Sequence, residues 1–344
     1  MPDDDLMGST AASAIGSAAL ALMAVWLIAQ AAGRRRGRAR ILLFGIAAAA
    51  SVLLLSTALR AIRWLAAHNA VLAAQFAYGN IPLLCAMALA FFMLPLAYIS
   101  TPRAFALHMC AALAITAFGM LYAHLTTAVP AVFGIGVLCG MVSRHRRIAG
   151  AANTARAGRA KETRRDAVQI LMGAALLILF ASLPAHTAIT VSIAAIFASY
   201  AVAGYARSRR SGAIFTTLAS LERGNDLHLT GATYLAAGAS LAMGFAPDTR
   251  VLMFSIVALF LADAASTMAG MRIRSARLTH NRAKSIAGTL AYFVVCAAAG
   301  YAFLGYYAIA LGAVAAAVES MPLSLDDNTS CAIAILICAY ALSL

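Results

Sequence analysis

Val251-Leu-Met-Phe-Ser-Ile-Val-Ala-Leu-Phe-Leu-Ala-Asp263-Ala-Ala-Ser-Thr-Met-Ala-Gly270 is an apolar run that contains a single charged residue, Asp263. A run of about 20 such residues can cross the hydrocarbon core of a bilayer as a helix. A carboxylate at membrane depth costs roughly 2.5–3.5 kcal/mol on insertion scales, so it persists where a partner, a cavity or a function retains it. The run therefore predicts a transmembrane helix that carries a functional acid.

The composition extends this interpretation to the whole chain. Of its 344 residues, 63% are hydrophobic and 11% are charged, whereas a soluble protein carries about 25% charged residues. Long apolar runs separated by short polar breaks predict an all-α, polytopic transmembrane helical bundle. The formal net charge is +14. Because the basic residues are divided among short loops, this charge argues for a role in topology and against a nucleic-acid partner.

Runs of roughly 15–25 apolar residues predict about twelve spans. These runs cover 10–32, 41–62, 71–99, 104–125, 129–143, 167–183, 187–206, 229–246, 250–271, 285–303, 306–321 and 329–344. Basic residues concentrate in odd-numbered loops, so the positive-inside rule places the N-terminus outside and those loops in the cytoplasm. We expect a multi-pass protein of a bacterial or archaeal cytoplasmic membrane, or of an ER-like membrane.

A polar and basic stretch divides the chain into two membrane blocks. We predict an N-terminal block of about five spans over 1–150, a basic cytoplasmic linker over 151–165 and a C-terminal domain of about seven spans over 166–344. Residues 6–150 contain no acid. Chemistry that needs carboxylates therefore belongs to the C-terminal domain.

A lysine follows Asp263 on the same predicted side of the membrane. Asp263 lies nine residues before Arg272, which places it roughly 13 Å along the helix from the cytoplasmic edge. Lys284-Ser285 opens the next span, in a chain that otherwise uses arginine almost throughout. A compact ammonium suits a phosphate contact, and a helix start with Ser285 and Gly288 can present N–H groups to an anion. A basic residue that only sets topology is the alternative.

Acidic residues between the last two predicted spans complete the pattern. Glu319 and the sequence Asp326-Asp327-Asn328 lie on the predicted cytoplasmic side. Adjacent carboxylates repel each other, and magnesium that carries nucleotide phosphates would hold them together. A simple helix N-cap is the alternative, since Asp and Asn accept bonds from free N–H groups. With Asp263 and Lys284 in the same compartment, we favour one shared site.

These motifs, in this order, resemble those of the dolichol kinase and phytol kinase family of CTP-dependent lipid kinases. The resemblance covers about residues 160–344. The counterparts are Arg164-Arg165, Gly231 to Tyr234, Ala262-Asp263 with Gly270, Lys284-Ser285 with Gly288-Thr289, and Glu319 with Asp326-Asp327-Asn328. The chain departs from the family pattern where Asp166 replaces lysine, Gln169 histidine, Ala262 glycine, Arg274 glycine and Ala287 glutamate.

The resemblance implies an integral-membrane lipid kinase. It would transfer the γ-phosphate of CTP to the hydroxyl of a polyprenol- or dolichol-type isoprenoid alcohol, with Mg²⁺ as cofactor. The implied catalytic residues are Asp263, Lys284 and Asp327. The implied magnesium ligands are Asp263, Glu319, Asp326 and Asp327. The implied nucleotide contacts are Arg164, Arg165, Gly270, Arg272, Lys284, Ser285, Gly288 and Asn328.

Three other functions stay open at the level of sequence. The acceptor can instead be phytol or diacylglycerol, since nothing in the sequence sizes the lipid groove. A secondary transporter would use Asp263 as a coupling-ion site. Transporters often show internal repeats and polar groups in both halves, whereas the first five predicted spans of this chain carry no comparable acid. A catalytically impaired membrane scaffold is the third, because Ala287 lacks a carboxylate that the family pattern contains.

Overall fold

The computed structural model describes residues 81–98, 102–121, 125–126, 128–148, 159–209, 212–221, 230–323 and 326–344. These residues lie within one compact unit, Ala77–Leu344. In the described ranges all regular structure is helical, and β-pairing is limited to an isolated bridge between Arg277 and Ser285. The all-α prediction is therefore confirmed. The N-terminus and the first two predicted spans, 10–32 and 41–62, lie outside the described residues.

Eleven helices follow one another in the described part of the chain. They are α1 (Ile81–Tyr98), α2 (Pro102–Leu121), α3 (Ala128–Ile148), α4 (Arg159–Ser182), α5 (Ala185–Arg209), α6 (Ala213–Leu221), α7 (Thr230–Phe245), α8 (Thr249–Arg272), α9 (Ile286–Leu304), α10 (Tyr307–Ser320) and α11 (Asp327–Ala341). Helix α8 has three parts: an α-helical start, Thr249–Ile256, a π-helical stretch, Val257–Ala262, and an α-helical end, Asp263–Arg272.

Two helices differ from the sequence prediction. Helix α4 begins at Arg159, well before the apolar run predicted at 167–183, because the polar residues in front of the run are also helical and Glu162 lies in the first turn. A carboxylate there is favourable at the positive end of the helix dipole. Helix α6 corresponds to no predicted span, since its nine residues are too few to cross a bilayer.

Within the described ranges, four helices are long and apolar enough to cross a membrane, judged by length and composition. They are Lys161–Ser182 in α4, Ala185–Ser208 in α5, Thr249–Arg272 in α8 and Ile286–Leu304 in α9. Shorter apolar helices of 10–17 residues lie within other predicted spans, such as 104–125 and 306–321, but are shorter than the four candidates. Large apolar side chains such as Leu171, Ile178 and Leu290 are exposed on α4 and α9, as expected for helix faces that meet hydrocarbon.

Helix α8 is the central element of the C-terminal half. Its apolar window is 72% buried, whereas the corresponding windows of α4 and α9 are each 22% buried. Helices α4 and α9 pack along all three parts of α8, and α7 and α11 cover its first part and the π-helical stretch. Asp263 therefore begins the last part of a helix that is surrounded on most sides by protein.

Aromatic and small residues join the remaining helices. Phe91 of α1, Phe133 of α3 and Phe197 of α5 form a cluster with ring centroids 5.0–6.1 Å apart. Helices α3 and α7 approach closely at Gly244, where an added Cβ would lie 2.4 Å from the backbone nitrogen of Ala131. Small residues permit this kind of backbone contact between membrane helices.

Gly244→Ala should destabilise the bundle, because the new methyl group meets backbone atoms of Ala131 that cannot rotate away. Overpacking of this kind costs about 1–3 kcal/mol. The matched control is Gly231→Ala on the same helix, where an added Cβ has nothing within 4 Å. We expect a lower apparent melting temperature in detergent for Gly244→Ala alone. Equal melting temperatures for the two variants would contradict the close contact.

Candidate functional site

Three carboxylates from three helices meet at one end of α8. Asp263 begins the last part of α8, Glu319 lies in the last turn of α10, and Asp327 lies in the first turn of α11. One oxygen of each carboxylate lies within 4.8 Å of the corresponding oxygens of the other two. Glu319 is 1% exposed, so the cluster extends from a half-exposed edge into the protein interior.

Lys284 bridges two of these carboxylates. Its Nζ donates to Glu319 Oε1 at 2.5 Å and to Asp327 Oδ2 at 2.7 Å, and its side chain is 25% exposed. Burial lowers the pKa of the Lys284 ammonium, but the nearby carboxylates of Asp327 and Glu319 outweigh burial and raise the pKa above its ordinary value. The ammonium therefore stays charged and holds α10 and α11 together.

The connection between α8 and α9 fixes the position of Lys284. Within this connection, Leu278 N donates to Lys284 O at 3.1 Å and Lys284 N donates to Asn281 O at 3.0 Å. The side chain of Asn281 in turn donates to Ser320 O at the end of α10, at 3.1 Å. The lysine is thus held by a folded loop that is itself attached to the helix carrying Glu319.

Gln169 of α4 orients the carboxylate of Asp263. In the π-helical stretch the backbone N–H of Asp263 bonds to Ala258 O, five residues back, so Leu259 O is left without its usual i+4 donor. Gln169 Nε2 donates to Leu259 O at 2.9 Å and to Asp263 Oδ2 at 2.8 Å. One buried amide therefore satisfies both the carbonyl released by the π-helix and the acid that follows it.

Ser266 completes the cluster on the α8 side. It lies three residues after Asp263, so both side chains share a helix face, and its Oγ donates to Glu319 Oε1 at 3.1 Å. Glu319 Oε1 therefore accepts from both Lys284 and Ser266. The second oxygen, Oε2, is buried and has no hydrogen-bond partner among the described residues, and such an atom is costly unless a ligand satisfies it.

The donor set fits a hard divalent cation. Mg²⁺ prefers carboxylate oxygens and water, and Asp263, Glu319 and Asp327 each offer an oxygen within reach of the others. The buried, unpartnered Oε2 of Glu319 is an additional acceptor in the same place. These three side chains would hold the ion, with Lys284 supplying a neighbouring positive charge for an anionic ligand.

Two glycines implied as nucleotide contacts have a packing role here. An added Cβ at Gly270 would lie 3.1 Å from Ser285 Oγ, and one at Gly288 would lie 3.0 Å from Ser266 O. Their small size lets the start of α9 approach the end of α8. Ser285 is buried and caps α9, since its Oγ accepts from Gly288 N at 3.2 Å.

The remaining predicted site residues lie at or beyond the edge of the cluster. Arg164 and Arg272 are exposed, and Arg165 pairs with Glu162 at 3.0 Å. Asp326 caps α11, because its Oδ1 accepts from Asn328 N at 3.1 Å. The structure therefore brings together Asp263, Lys284, Glu319 and Asp327. Within the sequence Asp326-Asp327-Asn328, Asp326 is the residue that acts as the N-cap of α11.

Gln169→Leu should lower the stability of the protein, because Leu259 O loses a donor in a buried place and the Asp263 carboxylate loses one in a part-buried place. Each orphaned group costs about 1–3 kcal/mol. The measurement is the apparent melting temperature in detergent. Ser199→Ala is the control, since that exposed hydroxyl bonds only to a carbonyl of its own helix. An unchanged melting temperature for Gln169→Leu would contradict the assigned role of the amide.

Asp326 should make stability depend on pH. Burial, with repulsion from Asp327 adding to it, raises the pKa of the Asp326 carboxyl to about 7. The folded protein then retains a proton that the unfolded chain releases above about pH 4. Stability attributable to this group is therefore full at pH 4, falls as the pH rises to about 7, and levels off above.

Asp326→Asn tests this linkage, because asparagine keeps an N-cap acceptor and does not titrate. We expect the apparent melting temperature of the variant to decline less steeply than that of the wild type between about pH 4 and 7. Circular dichroism followed over the pH range gives both slopes. Identical slopes would show that the Asp326 carboxyl is ionised in the folded protein. The raised pKa assigned to this group would then be wrong.

Gln169 and Ser266 are the site residues that the sequence prediction missed as contacts. The available signals were weak: a lone glutamine inside an apolar helix, and a serine in a stripe of small residues that is equally typical of helix packing.

Comparison with known proteins adds no family, since no family model, no curated protein and no solved structure matches the chain. Function is therefore argued from the site itself.

Proposed function

We propose that the protein is a membrane-embedded, Mg²⁺-dependent lipid kinase. It transfers the γ-phosphoryl group of CTP to the hydroxyl of a polyprenol- or dolichol-type isoprenoid alcohol. The donor and the acceptor come from the resemblance of the motifs to the dolichol kinase and phytol kinase family. The observation that carries the proposal is the meeting of Asp263, Glu319 and Asp327 around Lys284 at one end of a largely buried membrane-type helix.

The charges of the cluster support a divalent cation and an anionic ligand. Three carboxylates against one ammonium leave two formal negative charges, which is the charge that one divalent cation neutralises. When bound, Mg²⁺ would supply charge neutralisation for phosphate oxygens. Lys284, which stays protonated, would then contact a phosphate oxygen from the half-exposed side of the site.

The chain's own residues would position the reactants for the transfer. The bond between the γ-phosphorus and the β–γ bridging oxygen breaks, a bond from the alcohol oxygen to the γ-phosphorus forms, and CDP and a lipid monophosphate result. The Asp263 carboxylate, which the Gln169 amide holds in place at 2.8 Å, would either accept the alcohol proton or bind Mg²⁺, and in the second case the proton passes to water. Reactions of this kind depend mainly on positioning and on electrostatic stabilisation.

In the same proposal the chain crosses the membrane about twelve times, with its N-terminus outside and the site facing the cytoplasm. The length of α9 supports a membrane crossing by this helix, because its 19 residues span about 28 Å, close to the thickness of the hydrocarbon core. One end follows the basic loop that holds Lys284. The other end carries exposed Tyr301 and Tyr306, with ring centroids 5.5 Å apart, and tyrosines are enriched at membrane interfaces.

A phosphotransfer assay with the purified full chain tests the function. The protein in detergent is incubated with Mg²⁺ and γ-labelled CTP or ATP, and with polyprenol, phytol or diacylglycerol in separate reactions. We expect label from CTP in polyprenol. Asp263→Asn should reduce the rate by about 10²–10⁴-fold, the usual contribution of a positioned acid or base. Label in phytol or diacylglycerol alone would identify a different acceptor for the same reaction.

Asp248→Asn is the matched control. It makes the same chemical change on the same helix, at the opposite end, and retains a side-chain oxygen to cap Val251 N. Its labelling rate should equal that of the wild type. The kinase proposal fails if no lipid acquires label, or if Asp263→Asn labels at the wild-type rate. Asp263-dependent cation uptake by proteoliposomes, without labelling of any lipid, would favour the secondary transporter instead.

A further inference from the structure

Asp166 of α4 is a fully buried acid for which the proposed chemistry has no use. The residue is 0% exposed, and neither carboxylate oxygen has a hydrogen-bond partner among the described residues. Arg165 is the cation that pairs with it, with NH2 3.5 Å from Oδ1. The same guanidinium nitrogen lies closer to Glu162, at 3.0 Å. The negative charge of Asp166 is therefore only weakly neutralised by Arg165.

Asp166 faces the candidate site. It lies one turn before Gln169 on α4, so the two buried side chains share a helix face. Helix α4 packs against all three parts of α8, and Gln169 reaches Asp263 Oδ2 at 2.8 Å from the face that it shares with Asp166. Asp166 is thus about one helical turn from the residue that bonds to Asp263. A fully buried acid therefore lies on the α4 side of the three-carboxylate cluster.

Among the described residues, the cation paired with Asp166 is also paired with a second acid. The guanidinium of Arg165 contacts both Glu162 and Asp166, and the ammonium of Lys284 is bonded to Glu319 and Asp327. A buried carboxylate without a hydrogen-bonding partner is unfavourable. A bound cation would satisfy both orphaned oxygens of Asp166.

We infer that Asp166 and Asp263 form a second divalent-cation subsite, next to the one made by Asp263, Glu319 and Asp327. Asp263 contributes to both subsites, with its Oδ2 held by Gln169. The inference rests on the proposed function for its first cation, and the second cation is of the same hard, oxygen-binding class. Paired cations are a recurring arrangement in enzymes that transfer phosphoryl groups.

Titration of the purified full chain with Mn²⁺, followed by electron paramagnetic resonance of the free ion, counts the sites without nucleotide or lipid. The wild type should bind two ions per chain. Asp166→Asn should bind one, while Asp166→Glu should keep two. Arg165→Gln should bind the second ion roughly tenfold more tightly, since it removes a competing positive charge. Arg250→Gln, an exposed arginine at the far end of α8, is the matched control and should bind as the wild type does.

The inference is overturned if the wild type binds fewer than two ions, or if Asp166→Asn binds two ions with wild-type affinity. Where Asp166→Asn does not fold, Arg165→Gln decides: weaker or unchanged affinity for the second ion overturns the inference. If the wild type binds a single ion, Asp327→Asn abolishes that binding and a lipid acquires label, the second subsite is wrong and the kinase proposal is retained. If the wild type binds two ions and no lipid acquires label, the second subsite is supported and the kinase proposal is wrong.

Discussion

The ammonium of Lys284 is the group on which the arrangement of the site depends. It bonds to Glu319 at the end of α10 and to Asp327 at the start of α11, so one positive charge joins two helices and the loop that precedes a third. Without it, two carboxylates would lie side by side with nothing to balance their repulsion. The loop hydrogen bonds of Leu278 and Asn281 matter because they keep this charge where both acids reach it.

The π-helical stretch in α8 is the second constraint. It shifts the backbone pairing by one residue just before Asp263, and the carbonyl it releases at Leu259 is taken up by Gln169. Short π-helical segments cost hydrogen-bond geometry and are frequent at functional sites. Here the irregular turn and the acid share one donor, so the direction of the carboxylate is set by the backbone of α8 and by a side chain of α4 together.

The sequence predicted the helical class and the four charged members of the cluster, because charges inside or beside apolar runs are conspicuous. It could not predict the contribution of Gln169, since an uncharged amide has no periodic signature and its role depends on a π-helix that leaves no mark in the composition. Ser285 shows a different limit. A helix start suited to anion binding and a buried N-cap use the same residue types, and only coordinates tell which donor a hydroxyl meets.

Exposure within the cluster is graded, and this would have a kinetic consequence if the site holds magnesium as proposed. The side chain of Asp327 is 37% exposed, that of Lys284 is 25% exposed and that of Glu319 is 1% exposed. An ion with its hydration shell would first meet Asp327 while most of its water molecules remain in place. It would then exchange them one at a time for oxygens deeper in the protein, and magnesium releases water reluctantly. Dehydration, rather than diffusion, would therefore be the slow part of loading the proposed site.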